Sequence, residues 1–230
     1  MPSRRATLAR LERHCITVEV MSRPLNVVAI SGSLQAPSKT IALVEEIVAG
    51  LATRLPIDAH FIKLNELGPS FAGSLSRAGL PLNVERELQR IETADLLVVA
   101  SPVYRASFTG LFKHLFDFVD QYALVDTPIL LAATGGSERH ALIIEHQFRP
   151  LFSFFQALTL PLGIYAHDSD FTDYRVSSTF LHDRIRKVIE RSLPIITANL
   201  EEKLNVERVL DGQLVLNDET VAPAVVRLLT

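Results

Sequence analysis

Short apolar runs rich in β-branched residues alternate along this chain with longer segments of helical spacing. Such runs, when bounded by glycine, proline or polar residues, are typical of buried parallel strands. Five strands are predicted, over residues 25–30, 57–64, 95–103, 128–133 and 160–165. The second run alternates apolar and polar residues, so we expect that strand near an edge of the sheet.

Five helices are predicted between and after these strands, where apolar residues recur every three or four positions. They cover residues 40–55, 84–93, 108–122, 138–158 and 177–203. Pro194 predicts a kink or break in the last helix, and the glycines and prolines of residues 65–82 predict a loop. Strands that alternate with helices indicate a doubly wound, five-stranded parallel sheet with helices on both faces.

The two ends of the chain fall outside this alternation, so we expect one domain over residues 21–203. Residues 1–20 are rich in arginine and have no apolar stretch like that of a secretory signal. They predict a flexible N-terminal extension, with Met21 as an alternative start. Residues 204–230 are predicted to form a C-terminal tail, with a small hairpin turn at residues 210–213.

Composition narrows the possible functions by exclusion. With 48% hydrophobic and 21% charged residues, the chain is typical of a globular protein. Its net charge of -3 disfavours a nucleic-acid partner, and charged residues interrupt every candidate membrane span, so we expect neither nucleic acid nor membrane as a partner. Cys15 is the only cysteine, which excludes an internal disulfide and fits a cytoplasmic location.

Candidate chemistry lies in the loop after the first strand, because open parallel sheets bind ligands at the carboxyl ends of their strands. Residues 31–40 include the hydroxyls of Ser33, Ser38 and Thr40 and the cation of Lys39. The free N–H groups of the following helix add partial positive charge, so the loop is predicted to bind a phosphate. Alternatively, Ser38 only caps the helix, and the two roles are compatible. Neither a Walker sequence nor GxGxxG is present, which favours a monophosphate.

Two further segments follow the third and fourth predicted strands. They read SPVYR at residues 101–105 and ATGG at residues 133–136. Glycine lets the backbone approach a flat ring closely, and Tyr104 offers an aromatic face to such a ring. Considered alone, the glycines favour two ordinary loops.

Together, the three segments resemble the NAD(P)H-dependent FMN reductase family, which has a flavodoxin-like fold. The resemblance covers about residues 25–200 and is most specific where SPVY at residues 101–104 is followed by FTGLFK at residues 108–113. Within the family, the chain is most similar to the reductases of two-component sulfonate monooxygenase systems, particularly the methanesulfonate-associated type.

The resemblance implies which residues bind FMN. The phosphate would be bound by the first loop, through Ser31, Ser33, Gln35, Ser38, Lys39 and Thr40. The isoalloxazine ring would lie along the other two segments, at Pro102, Val103, Tyr104, Arg105, Thr134, Gly135 and Gly136. Gln35 stands where family members often have arginine, and the lost charge predicts weaker FMN retention.

The resulting hypothesis is an enzyme that reduces FMN with NADH or NADPH and delivers it to a monooxygenase, in sulfonate desulfonation for sulfur acquisition. Hydride transfer to a flavin needs no acidic or basic side chain, so no catalytic residue is named. The family also implies a homodimer or homotetramer. Two alternatives are an FMN-retaining reductase of quinones, azo dyes or metal oxyanions, and a flavodoxin-style electron carrier, which the mild net charge disfavours.

His146 is a further candidate and lies inside the fourth predicted helix. Pro150 has no N–H to donate to the His146 carbonyl, so a π-bulge is predicted at His146. The resemblance places an inserted ring residue at this point of two-component reductases. It implies that His146 lies at a subunit contact near the flavin and weakens FMN retention. The simpler alternative is a partly buried histidine beside a proline kink.

Two remaining patterns predict structure rather than chemistry. Residues 167–173 contain one histidine and three aspartates, but their spacing misses the EF-hand pattern, so we expect a solvated loop and no metal site. A stripe of Phe108, Phe112 and Phe116 has helical spacing and predicts core or subunit interface.

Overall fold

The computed structural model describes residues 23–210. Pro24–Leu193 form one compact unit, and residue 23 with residues 194–210 belong to a second. The predicted extension over residues 1–20 lies outside the described residues. So does the part of the predicted tail that follows residue 210.

The central sheet is parallel and, within the described residues, contains six strands. They are β1 Leu25–Ser31, β2 Ile57–Lys63, β3 Leu96–Pro102, β4 Pro128–Gly135, β5 Leu158–Thr159 and β6 Ile164–His167. The order is β2-β1-β3-β4, and both β5 and β6 pair with β4. β1 and β3 are almost entirely buried, whereas β2 is half exposed, which confirms its edge position. This is the flavodoxin-like order, which changes direction between β1 and β3.

The edge of the sheet beside β4 contains two short strands instead of the single strand predicted over residues 160–165. β5 pairs with the start of β4 and β6 pairs with its end, so the strand is divided. Pro161, between them, has no N–H for a strand ladder. The guanidinium of Arg149 donates to the carbonyl oxygens of Leu160 and Pro161, at 2.9 Å each. The Arg149 side chain therefore binds the irregular segment between β5 and β6.

Six α-helices connect or follow the strands in the described part of the chain. They are α1 Lys39–Ala52, α2 Gly68–Ala72, α3 Leu82–Glu92, α4 Gly110–Phe116, α5 Arg149–Phe154 and α6 Thr179–Leu210. α6 contains Pro194 as one unbroken element and runs past residue 203, where the prediction had ended it. Among the described helices, none combines the length and apolarity needed to cross a membrane.

Helices cover both faces of the sheet. Side chains of β1 that point to one face share a hydrophobic cluster with α3, α4 and α5: Val28, Ile30, Val84, Phe112 and Phe152. Successive strand residues point to opposite faces, so Val27 and Ala29, also fully buried, face the other side. There α1 packs closely on α6, since a Cβ on Gly50 would lie 2.7 Å from Cδ1 of Ile189.

The predicted phenylalanine stripe is core. Phe112 and Phe116 are buried, and their rings lie 5.5 Å from Phe148 and 4.9 Å from Phe152, respectively. Phe108 meets Phe148 edge-on at 5.5 Å. These ring contacts join α4 to the segment that contains α5, at the carboxyl side of β3 and β4.

Two predicted segments were wrong in detail. α4 ends at Phe116 rather than near residue 122, because polar groups of distant elements bind the chain that follows. Arg77 Nη1 donates to the carbonyl of Phe118 at 3.2 Å, and the Asp120 N–H donates to Glu92 Oε1 at 2.9 Å. The loop predicted over residues 65–82 contains α2 and two single 3₁₀ turns.

A small antiparallel hairpin, which the sequence did not predict, follows β6. Its strands are β7 Phe171–Thr172 and β8 Arg175–Val176. Asp173 and Tyr174 form the turn with φ of 49° and 59°. Two consecutive left-handed residues are typical of the tightest hairpin turns.

Candidate functional site

Three loops at the carboxyl ends of β1, β3 and β4 are joined by hydrogen bonds between residues far apart in sequence. Thr109 Oγ1 donates to the carbonyl of Gly32 at 2.9 Å, which links the first loop to the second. The Val103 N–H donates to the carbonyl of Thr134 at 2.8 Å, which links the second to the third. The Oγ1 atoms of Thr40 and Thr134 lie 2.7 Å apart, which links the first to the third. The predicted segments therefore form one site.

The first loop is shaped by its own serines. Ser38 caps α1, because its Oγ accepts the N–H groups of Thr40 at 3.2 Å and Ile41 at 3.4 Å. Its own hydroxyl proton stays available to a ligand. Ser33 Oγ donates to the carbonyl of Gln35 at 3.0 Å, and Gln35 is exposed.

The donors that remain in this loop fit a phosphate. In the part of the chain that the structure describes, no protein acceptor takes a hydrogen bond from the N–H groups of Leu34, Ala36 or Ser38. Lys39 is the only basic side chain between Ser31 and Thr40, and it is part-exposed. Backbone amides at a helix start with one cation are suited to an anion.

Two residues of the predicted phosphate set, Ser31 and Thr40, have buried side chains. Thr40 is 2% exposed and its hydroxyl is engaged by Thr134, so it joins loops rather than facing solvent. Ser31 is also buried, and its Oγ accepts the Ser33 N–H at 3.4 Å. Both side chains therefore stabilise the loop through contacts inside the protein.

The second loop makes a tight turn that exposes Tyr104 and Arg105. Tyr104 and Ser107 exchange backbone hydrogen bonds of 2.8 and 3.0 Å, and Arg105 and Ala106 have φ of 49° and 67°. Left-handed residues other than glycine cost free energy and concentrate at functional sites. Pro102 and Val103, which precede the turn, are half-buried. An exposed aromatic ring and half-buried apolar residues in one loop can contact a flat ligand.

Ser101 and Thr109 support the second loop, and sequence reasoning missed their role. Ser101 Oγ accepts the Thr109 N–H at 3.1 Å, and Thr109 caps α4 by accepting the Phe112 N–H at 3.3 Å. Gly32 packs against Ser101 so closely that a Cβ on the glycine would lie 2.8 Å from the Ser101 Cβ. Both residues belong to the stretch from SPVY to TG at residues 101–110, which is the part of the sequence that could have indicated this role.

Gly135 in the third loop has a structural reason to be glycine. A Cβ there would lie 2.3 Å from the hydroxyl oxygen of Tyr165, which donates to the carbonyl of Ser137 at 2.6 Å. Burial raises the pKa of Tyr165, and the negative charges of Asp168 and Glu138 add to this effect. Gly136 is exposed, and its Cβ would lie 3.3 Å from Asp168 Oδ2. Tyr165 therefore accounts for glycine at position 135 without a ligand.

The helix predicted over residues 138–158 is interrupted, and the predicted π geometry is confirmed. Ile144–Phe148 form a π-helical turn, after a 3₁₀ turn at Glu138–His140 and before α5. The Arg149 N–H donates to the carbonyl of Ile144, five residues back. Pro150 has no N–H to donate to the carbonyl of His146, which favours this wider geometry. His146 is exposed rather than partly buried.

The π-helical turn contacts the second loop directly. Ser107 Oγ donates to Oε1 of Gln147 at 3.1 Å. The π-helical turn therefore holds one end of the Tyr104–Ser107 turn. His146, which precedes Gln147, is exposed to solvent.

Residues at the end of β6 and in the acidic turn that follows contact the first and third loops. Lys39 Nζ lies 2.9 Å from Asp168 Oδ1, and the His167 Nε2 lies 3.0 Å from the carbonyl of Gly136. Asp168 is exposed, as expected for a solvated loop, but it also pairs with Lys39 of the first loop, which the sequence did not predict. Among the described residues, no group of three or more His, Cys, Asp or Glu side chains is arranged to bind a metal ion.

Comparisons with known proteins show which family this chain is similar to. The family described as NADPH-dependent FMN reductase matches residues 25–172, which include all three loops and the π-helical turn. NADH-dependent FMN reductase SfnF of Pseudomonas fluorescens is 54% identical over 81% of this chain and 100% of its own. NADH-dependent FMN reductase SfnE of Pseudomonas putida is 58% identical over 78% of this chain and 96% of its own. The apo form of NADH:FMN oxidoreductase (EMOB) superposes with a TM-score of 0.63 at 29% identity, over 71% of this chain and 86% of that one.

Proposed function

Because the chain belongs to the NADPH-dependent FMN reductase family and is an NAD(P)H:FMN oxidoreductase, we propose that it supplies reduced FMN to a partner monooxygenase. The partner would desulfonate organosulfonates for sulfur acquisition, in the cytoplasm. The resemblance to reductases of two-component sulfonate systems supports this context, and so does the similarity to proteins named SfnF and SfnE.

The first loop binds the FMN phosphate in this proposal. Lys39 supplies the cation, Ser38 donates its hydroxyl proton, and the N–H groups of Leu34 and Ala36 complete the donor set. The isoalloxazine ring lies along Pro102–Arg105 and Gly135–Gly136, and the buried Thr134 supports the third loop through its contact with Thr40. When bound, FMN supplies the hydride-accepting chemistry, and the protein supplies position and electrostatics.

The exposed π-helical turn beside the second loop is the observation that carries the proposal of flavin delivery. Its residue Gln147 contacts Ser107 at 3.1 Å, so the turn acts on the loop that exposes Tyr104. His146 is exposed and can lie at a contact with a second subunit. We propose that this contact, in a homodimer or homotetramer, weakens FMN retention, so that reduced FMN leaves for the partner. π-bulges concentrate at functional sites.

The decisive experiment measures oxidation of NADH and NADPH with FMN, FAD, riboflavin and a quinone as acceptors, together with the colour of the purified protein. We expect a colourless protein, fastest with FMN, that supports a sulfonate monooxygenase in a coupled assay. A yellow protein that reduces quinone faster than free FMN would instead identify an enzyme that retains its flavin. A yellow protein with negligible NAD(P)H oxidation would identify an electron carrier.

Lys39→Ala tests the placement of the phosphate. The variant loses one charge-assisted contact, so its dissociation constant for FMN should rise roughly tenfold. Riboflavin has no phosphate and is the matched control ligand. Equal losses of affinity for FMN and riboflavin would contradict the assignment of the first loop.

A further inference from the structure

The cation of the proposed phosphate loop is already paired with an anion of the same chain. Lys39, the first residue of α1, places its Nζ 2.9 Å from Oδ1 of Asp168. Asp168 follows β6 directly and is far from Lys39 in the sequence. The side chains are 33% and 56% exposed, so the pair lies at the surface where a ligand can reach it.

Asp168 is held in place by the turn in which it lies. The His167 N–H donates to Asp170 Oδ2 at 2.8 Å, and the Ser169 N–H donates to His167 Nδ1 at 3.2 Å. Since Nδ1 accepts, Nε2 carries the ring proton and donates to the carbonyl of Gly136 at 3.0 Å. This turn is therefore fastened to the third loop and presents Asp168 toward the first.

We propose that Asp168 sets the affinity for FMN by competing with its phosphate for Lys39. This inference rests on the proposed function of the first loop as the phosphate site. A phosphate monoester carries a charge of about −1.5 to −2 near pH 7. Within the first loop, from Ser31 to Thr40, Lys39 is the only basic side chain, so the Asp168 carboxylate and a phosphate bound by this loop would share its ammonium group.

The exposure of the pair explains why the competition weakens binding without preventing it. Ion pairs between exposed side chains contribute little to stability, so Lys39 can exchange one anion for another. When FMN leaves, Asp168 again neutralises the lysine, which lowers the electrostatic free energy of the empty loop. A reductase that must release its flavin benefits from such an internal anion, and Gln35 in the same loop adds no charge of its own.

The test is Asp168→Asn, measured by fluorescence titration of the full chain with FMN and with riboflavin. Removal of the competing charge should tighten FMN binding about threefold, through loss of both the exposed ion pair and the repulsion between carboxylate and phosphate. Riboflavin affinity should not change. The matched control is Asp173→Asn, which removes an equal charge from the neighbouring hairpin at a left-handed position that asparagine adopts readily.

Lys39→Ala and the double variant separate the two proposals. In the Lys39→Ala background, Asp168→Asn should lose most of its effect on FMN, because the shared cation is gone. If Lys39→Ala weakens FMN selectively but Asp168→Asn does not tighten it, only the competition is refuted. If Lys39→Ala leaves FMN affinity unchanged, the phosphate site itself is wrong, and the competition with it. A gain shared by riboflavin or by Asp173→Asn would also refute the competition.

Discussion

The side-chain hydroxyls of Thr40 and Thr134 meet 2.7 Å apart inside the protein, where they join the start of α1 to the end of β4. Both residues are nearly fully buried. A buried hydroxyl needs a partner, so each threonine satisfies the other. The pair thereby fixes the distance between the proposed phosphate loop and the proposed ring loop.

Thr40→Val and Thr134→Val should each destabilise the protein, because each leaves one buried hydroxyl without its partner. We expect a loss of about 1 to 2 kcal/mol in the free energy of unfolding for each single variant, measured by urea denaturation. The double variant replaces both partners by groups of similar shape, so it should lose less than the sum. If the double variant loses the full sum, the two hydroxyls do not depend on each other.

Gly135→Ala should destabilise the third loop, because the added Cβ would lie 2.3 Å from the hydroxyl oxygen of Tyr165. Overpacking of this kind costs roughly 1 to 3 kcal/mol, measurable as a lower urea midpoint. Tyr165→Phe removes the clashing oxygen and should partly rescue Gly135→Ala. Without any rescue, the restriction to glycine comes from the ligand or the backbone rather than from Tyr165.

Deletion of His146 should regularise the π-helical turn and slow the release of FMN. We expect the deletion variant to purify yellow and to pass reduced flavin poorly to a monooxygenase, measured by flavin absorbance and by the coupled assay. His146→Ala keeps the additional residue and is the matched control for loss of the ring. A deletion variant that is colourless and supports the partner normally would refute the proposed role of His146 in flavin release.

Glu85 should contribute stability at neutral pH that disappears in acid. Its carboxylate accepts hydrogen bonds from Arg77 at 2.8 Å, which lower its pKa from the ordinary value of 4.5. A lowered pKa means that the contribution is present above pH 4.5 and is lost as the pH falls through the folded-state value. Glu85→Gln should therefore lose about 1 kcal/mol at pH 7, with a smaller difference from the original protein in acid.

Denaturation of both proteins across this pH range checks the prediction. Glu66→Gln, at an exposed position, is the control for the loss of a carboxylate alone. A difference between Glu85→Gln and the original protein that stays constant with pH would show that the Arg77 pair does not provide the stability.

The sequence by itself determined the elements whose physics is local. Apolar β-branched runs predicted all the central strands, since burial on both faces requires no polar alternation. Ser38 predicted the start of α1, and the missing N–H of Pro150 predicted the π-helical turn at His146. Each of these features depends on residues close together in the sequence, so it can be predicted without knowledge of the fold.

Other local predictions were wrong in their bounds. The helix over residues 138–158 divides at the π-helical turn before Pro150, α4 ends early, and the fifth strand is split around Pro161. In the second case Arg77 and Glu92 bind the chain after the helix, and in the third Arg149 binds the carbonyls of the segment between β5 and β6. Hydrogen bonds with partners from other elements competed with local propensity.

Only the tertiary structure decided which side chains of the site meet. Thr40 reaches Thr134, Ser107 reaches Gln147, and Lys39 reaches Asp168. These contacts depend on the register of parallel strands and on where each loop leaves the sheet, and no periodicity along the chain encodes such distances. The sequence therefore predicted a phosphate loop with Lys39 in it, whereas the ion pair of Lys39 with Asp168 became visible only when β6 was placed beside β4.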